Sequence, residues 1–152
     1  TLQTPTEDRY LMRKAELLDR IDVLLGGRVA EEIVFGDVST GAQNDLQRVT
    51  DLARHMVTQY GMSETLGLIT FEEPRTNPCL NPAGAGRSRE YSEKTAQAID
   101  DEIRGIIGEA RERVRTTLNQ RRGALDALAK LLLEKEVVDR KGLEALVATY
   151  PA

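Results

Sequence analysis

Leu25-Gly26-Gly27-Arg28-Val29-Ala30-Glu31-Glu32-Ile33-Val34-Phe35-Gly36 is the stretch that decides how this 152-residue chain folds. Leu17, Leu18, Ile21, Leu24 and Leu25 lead into it, and Val29 and Ile33 continue the same three- and four-residue steps. That period draws one apolar face on a helix. The Gly26-Gly27 pair lies inside the pattern. Two glycines cost a helix interior about 1 kcal/mol each. Either the helix breaks there, or another backbone comes close enough to require bare Cα atoms. The apolar period passes through the pair without a phase jump, which favours the close approach. The helix is expected to end near Gly36.

Downstream, Ser39-Thr40-Gly41-Ala42-Gln43 opens a second helix. Thr40 and Gln43 have the spacing of a capping box, in which each side chain satisfies a free N–H of the first turn. Leu46, Val49, Leu52, Ala53, Met56, Val57 and Tyr60 form its apolar stripe, and Gly61 suits the left-handed residue that ends a helix. Residues 66–71 contain Ile69, Thr70 and Phe71 and read as one short strand. Residues 72–91, with Pro74, Pro78, Pro82, Gly84 and Gly86, lack periodicity and read as a long loop. Ser92 caps a long helix carrying Ala96, Ile99, Ile103, Ile106, Ile107, Ala110, Val114 and Leu118. A break at residues 119–123 precedes a helix with Leu125, Leu128, Leu131 and Leu132, and Asp139 caps a last one with Leu143, Leu146 and Val147. The predicted fold is mainly α, a helical bundle in one domain with one short strand and one long loop.

Composition narrows the function. With two Phe, four Tyr and no Trp, the core is aliphatic, which suits helix packing. A net charge of -4 without a basic block excludes nucleic acid as a partner, since phosphate contacts need clustered Lys and Arg. Cys79 is the one cysteine, so no intrachain disulfide forms, and no base stands near it in sequence to make a catalytic thiol. No apolar run is long enough to span a bilayer, so any membrane attachment is expected to lie outside this chain.

The usual catalytic signatures are missing. There is no H-E-x-x-H, no phosphate-binding loop and no C-x-x-C, and His55 is the single histidine. Ten helical residues rise about 15 Å between Asp45 and His55, so the two cannot share a metal. His55 reads as a helix-surface histidine, and Ser39, Ser63, Ser88 and Ser92 read as cap or loop serines. From the residues alone, the chain is a helical interaction or assembly module.

The glycine-pair helix, the run Ser39-Thr40-Gly41-Ala42-Gln43-Asn44-Asp45-Leu46, then Ala53-Arg54-His55-Met56-Val57 and Gly61-Met62-Ser63 together closely resemble the FtsH family of membrane-anchored AAA+ zinc metalloproteases. The resemblance implies that residues 1–152 are the C-terminal portion of a zinc metallopeptidase domain. The family's H-E-x-x-H helix and AAA+ module would lie upstream, so no catalytic residue is expected in this chain. Asp45 matches the family's third zinc ligand, and Zn2+ is the implied cofactor, with ATP and Mg2+ at the AAA+ module. The implied partners are polypeptide substrates and neighbouring protease domains in a homo-hexamer. The domain would face the cytoplasm, or the organelle interior in an organelle. Isolated, the chain is expected to be inactive and to leave an apolar face uncovered.

Three carboxylates therefore compete. Asp45 is the implied ligand or a first-turn helix acid. Glu31 and Glu32, about 100° apart on their helix, are ligands, groups that orient one, or a solvated face. Asn44 has no assigned role. The alternative to part of a peptidase is a non-catalytic helical assembly module that has kept the scaffold without the chemistry.

Overall fold

A computed structural model describes residues 11–71 and 91–150. Among them are five α-helices and one 3-10 turn, with no strand. The first helix, α1 (Lys14–Phe35), begins where the Arg13 backbone N–H donates to Glu16 Oε2 at 2.8 Å. It runs through both glycines and stops at Gly36, whose φ of 65° is left-handed and suits a residue without a Cβ. The 3-10 turn (Thr40–Ala42) leads into α2 (Gln43–Thr58). Then come α3 (Glu93–Gln120), α4 (Arg122–Lys135) and α5 (Arg140–Thr149). Ser92 caps α3 by accepting from the Thr95 N–H at 3.3 Å, and Asp139 caps α5 by accepting from the Gly142 N–H at 2.8 Å.

The core lies where α1, α2 and α3 meet. Leu17, Ile21, Leu25 and Val29 of α1 pack with Val49, Ala53, Met56 and Val57 of α2 and with Ile99, Ile103, Ala110 and Val114 of α3. Each of these residues belongs to an apolar stripe legible in the sequence. Fully burying one of the larger aliphatic side chains contributes roughly 1.5–3 kcal/mol.

Two ion pairs join α1 to α3 at the rim of this core. Arg113 grips Asp22 through both nitrogens of its fork, at 2.9 and 3.1 Å, and Arg111 grips Glu32 in the same bidentate manner. The hydrogen bond from Arg111 holds the Glu32 carboxyl below the usual carboxylate range. Arg122, at the start of α4, donates to the Ile33 carbonyl at 3.3 Å. That carbonyl belongs to the last turn of α1, where backbone acceptors lack helical partners. The helices α4 and α5 pack mainly on each other, and Ala124 is the buried residue they contribute.

Several expectations need correction. Residues 66–71 form no strand. Leu66 lies in a turn closed by its N–H on Ser63 Oγ at 3.1 Å, and Leu68 is 95% exposed. A strand is held by its ladder, and here the segment's tie back to the helices is the Phe71 N–H on the Thr58 carbonyl at 2.8 Å. Thr40 and Gln43 make no capping box. Ser39 caps the 3-10 turn instead, and α2 starts from Ala42 without a side-chain cap. Gly61 is left-handed as expected, with φ 58°, but stands two residues beyond the α2 C-cap at Gln59. The glycine pair lies in open space. Beyond the neighbouring residues of the helix itself, no described atom comes within 4 Å of where a Cβ would sit on Gly26 or Gly27. The predicted loop, apart from Tyr91, and Cys79 within it lie outside the described residues.

Candidate functional site

Beyond Gly36 the chain turns back along α1, and Ser39 is where it is caught. The Ser39 hydroxyl donates to Glu31 Oε1 at 2.9 Å, and the Ser39 N–H reaches Glu31 Oε2 at 3.4 Å. The Ser39 carbonyl accepts from Arg28 Nη1 at 2.7 Å. The same hydroxyl oxygen accepts the Gly41 N–H at 3.2 Å, which closes the 3-10 turn. Every polar group of Ser39 is therefore engaged. Arg28 and Glu31 are three residues apart on a helix, so they share a face and grip the turn as a pair.

Asp45 stands in the first turn of α2. The residue is half-buried, and among the described residues its carboxylate takes part in no hydrogen bond or ion pair. The helix N-terminus favours a negative charge there. A carboxylate oxygen is an ordinary zinc donor, and this one is free to serve. A zinc site needs three or four such donors. Among the described residues no three His, Cys, Asp or Glu side chains converge. By its chemistry Asp45 could contribute one donor, and a zinc site there would need further donors from outside the described residues.

The rival carboxylates are occupied. Glu31 binds Ser39, and Glu32 binds Arg111 across the α1–α3 contact. Their divergence follows from the 100° step between successive helical residues. Asn44 is exposed. His55 is half-buried near the far end of α2, its ring tilted against Tyr60 with centroids 6.3 Å apart. The structure does not bring it to Asp45.

The grip on Ser39 was not foreseen from sequence. An Arg and a Glu three residues apart ahead of a short polar turn gave the only hint, and helical periodicity does not fix the register of an irregular turn against a helix face.

Comparison with known proteins identifies the family. The model of peptidase family M41 matches residues 1–146. The chain is 62% identical to the ATP-dependent zinc metalloprotease FtsH of Ralstonia pickettii (strain 12J), an alignment covering 97% of this chain and 21% of that protein. It is 60% identical to the protein of the same name from Burkholderia pseudomallei (strain 1710b), covering 99% of this chain and 23% of that one. The Helicobacter pylori (strain J99 / ATCC 700824) protein of that name is 45% identical, over 100% of this chain and 24% of its own length. The chain thus spans less than a quarter of the length of these curated relatives. A family match over residues 1–146 establishes that the chain belongs to peptidase family M41.

Proposed function

We propose that residues 1–152 form the C-terminal portion of the peptidase domain of an ATP-dependent zinc metalloendopeptidase, and that Asp45 supplies one zinc ligand. The observation that carries this reading is the Asp45 carboxylate itself. It stands in the first turn of α2, free of any described partner, behind a turn that is tightly held.

In this reading the remaining ligands are two histidines of an H-E-x-x-H helix outside this chain, whose glutamate is the general base. Bound zinc supplies Lewis-acid polarisation of a scissile carbonyl and an acidified water. This chain's residues contribute position. Asp45 presents its oxygen from a helix terminus, Ser39 fixes where that helix begins, and α1 and α3 provide the packed platform beneath it. ATP and Mg2+ act at a separate AAA+ module. That module feeds membrane and soluble polypeptides to a hexamer of such domains, anchored to the membrane by an upstream segment, with the domain in the cytoplasm or organelle interior.

Zinc content of the full-length protein tests the reading, with and without Asp45→Ala. About one zinc per chain in the wild type, and loss of most of it in a variant with an unchanged circular dichroism spectrum, is the expected result. Equal retention makes Asp45 a helix-terminus acid. No zinc in either protein hands the chain to the assembly-module reading.

A further inference from the structure

We infer that Arg28 and Glu31 of α1, acting through Ser39, are positioning residues that set where the Asp45 carboxylate stands. The inference rests on the reading of Asp45 as a ligand and adds what holds that ligand in place.

Apolar burial does not hold it. Residues 37–41 are all exposed, so no packing into the core fixes the turn. In α2 the first buried residue is Val49, a full turn beyond Asp45, and Leu46 is exposed. The first turn of α2 therefore lacks an anchor in the core. Backbone bonds within the turn are local: Val38 N–H lies on Asp37 Oδ1, and Gly41 N–H on Ser39 Oγ. Apart from bonds that continue the turn into α2, such as the Gln43 N–H on the Thr40 carbonyl, the hydrogen bonds tying residues 37–42 to another helix among the described residues are those between Ser39 and the Arg28–Glu31 pair of α1. From Ser39 the path to Asp45 is short and regular, through a 3-10 turn and straight into helix, with Ala42 at φ -84° and Gln43 at φ -54°. Such a path transmits position. A shift at Ser39 moves Asp45 with it, and metal–ligand distances hold to within about 0.2 Å.

Charge supports the assignment. Both grips are charge-assisted, Arg28 to a carbonyl and Glu31 from a hydroxyl and an amide. Glu31 is spent on the turn, whereas its neighbour Glu32 is spent on α3. Two adjacent glutamates of the same chemistry are thus assigned different tasks, and that difference gives the test its internal control.

The experiment uses the full-length protein with Glu31→Gln, Ser39→Ala, Ser39→Thr and Glu32→Gln, beside Asp45→Ala. Backbone hydrogen exchange over residues 39–46 is read in metal-stripped protein, and zinc affinity by chelator competition. Glu31→Gln and Ser39→Ala are expected to accelerate exchange over those residues and weaken zinc binding about 10- to 100-fold, the usual scale for groups that orient a ligand. Ser39→Thr keeps the hydroxyl and retains affinity. Glu32→Gln leaves both readouts at wild-type values. If Asp45→Ala loses zinc while Glu31→Gln and Ser39→Ala bind it within about twofold of wild type, the inference alone is overturned. If exchange accelerates without loss of affinity, the grip serves the turn and not the metal, and the inference falls as well. If Asp45→Ala itself keeps zinc, the ligand reading fails and takes the inference with it.

Discussion

Ile21 is fully buried on α1 among side chains from three helices. Truncating it to Ala removes three heavy atoms where the surrounding helices cannot fully collapse. Ile21→Ala is therefore expected to cost about 2–5 kcal/mol, read as a lower midpoint in denaturant unfolding. Residues of this kind were legible in advance, because burial on a helix follows a period and Leu17, Ile21, Leu25 and Val29 keep it. Glu31 shows where that legibility ends. Its partner Ser39 lies eight residues away across an irregular turn, and nothing periodic links the two. Asp45 could be singled out by resemblance, while its lack of a described partner became visible only in three dimensions.

At the scale of elements, α1 and α3 are joined by burial inside and by arginine forks outside. The Glu32–Arg111 pair makes their contact sensitive to acid. The Glu32 carboxyl titrates below its ordinary value of 4.5 when folded, because Arg111 donates to its charged form. Its contribution to stability is therefore present above about pH 4.5 and lost as pH falls through the lowered folded value. Thermal unfolding scanned downward from pH 6 is expected to show a shallower acid limb for Glu32→Gln than for wild type. A similarly steep limb would mean that the pair adds nothing, as many exposed pairs do. The helices themselves were easy to anticipate, since Ser92 and Asp139 announce their starts. Residues 66–71 misled because Ile, Thr and Phe have strand-like composition, yet strand formation depends on a neighbour that composition does not reveal.

For the whole molecule, the informative surface is the uncovered side of α1. Val23 is 51% exposed, and Gly27, one turn further along the helix, lies in open space. In the 152-residue chain, Gly27→Ala is expected to stabilise by roughly 0.5–1 kcal/mol, because Ala suits a helix interior better and meets no described atom. In the full-length protein the same change is expected to reverse sign, since a helix seated against those bare Cα atoms would meet the new methyl group. Paired thermal melts of the two lengths check this. Stabilisation in both would mean that nothing packs there. The close approach inferred from the unbroken apolar period would then have no occupant, and the pair would reflect some other constraint.

The grip on Ser39 also divides the connection between α1 and α2 into two parts with different freedom to change length. Between Gly36 and Ser39 the chain spans exposed residues whose endpoints are independently secured, one by a left-handed helix end and the other by Arg28 and Glu31. Added residues there can bulge into solvent at a small entropic cost. Between Ser39 and Asp45 every residue lies in a 3-10 turn or helix, where one insertion rotates the downstream helix by about 100°. Natural or engineered variation in this family member can therefore collect at Asp37 and Val38, while the spacing from Ser39 to Asp45 stays fixed.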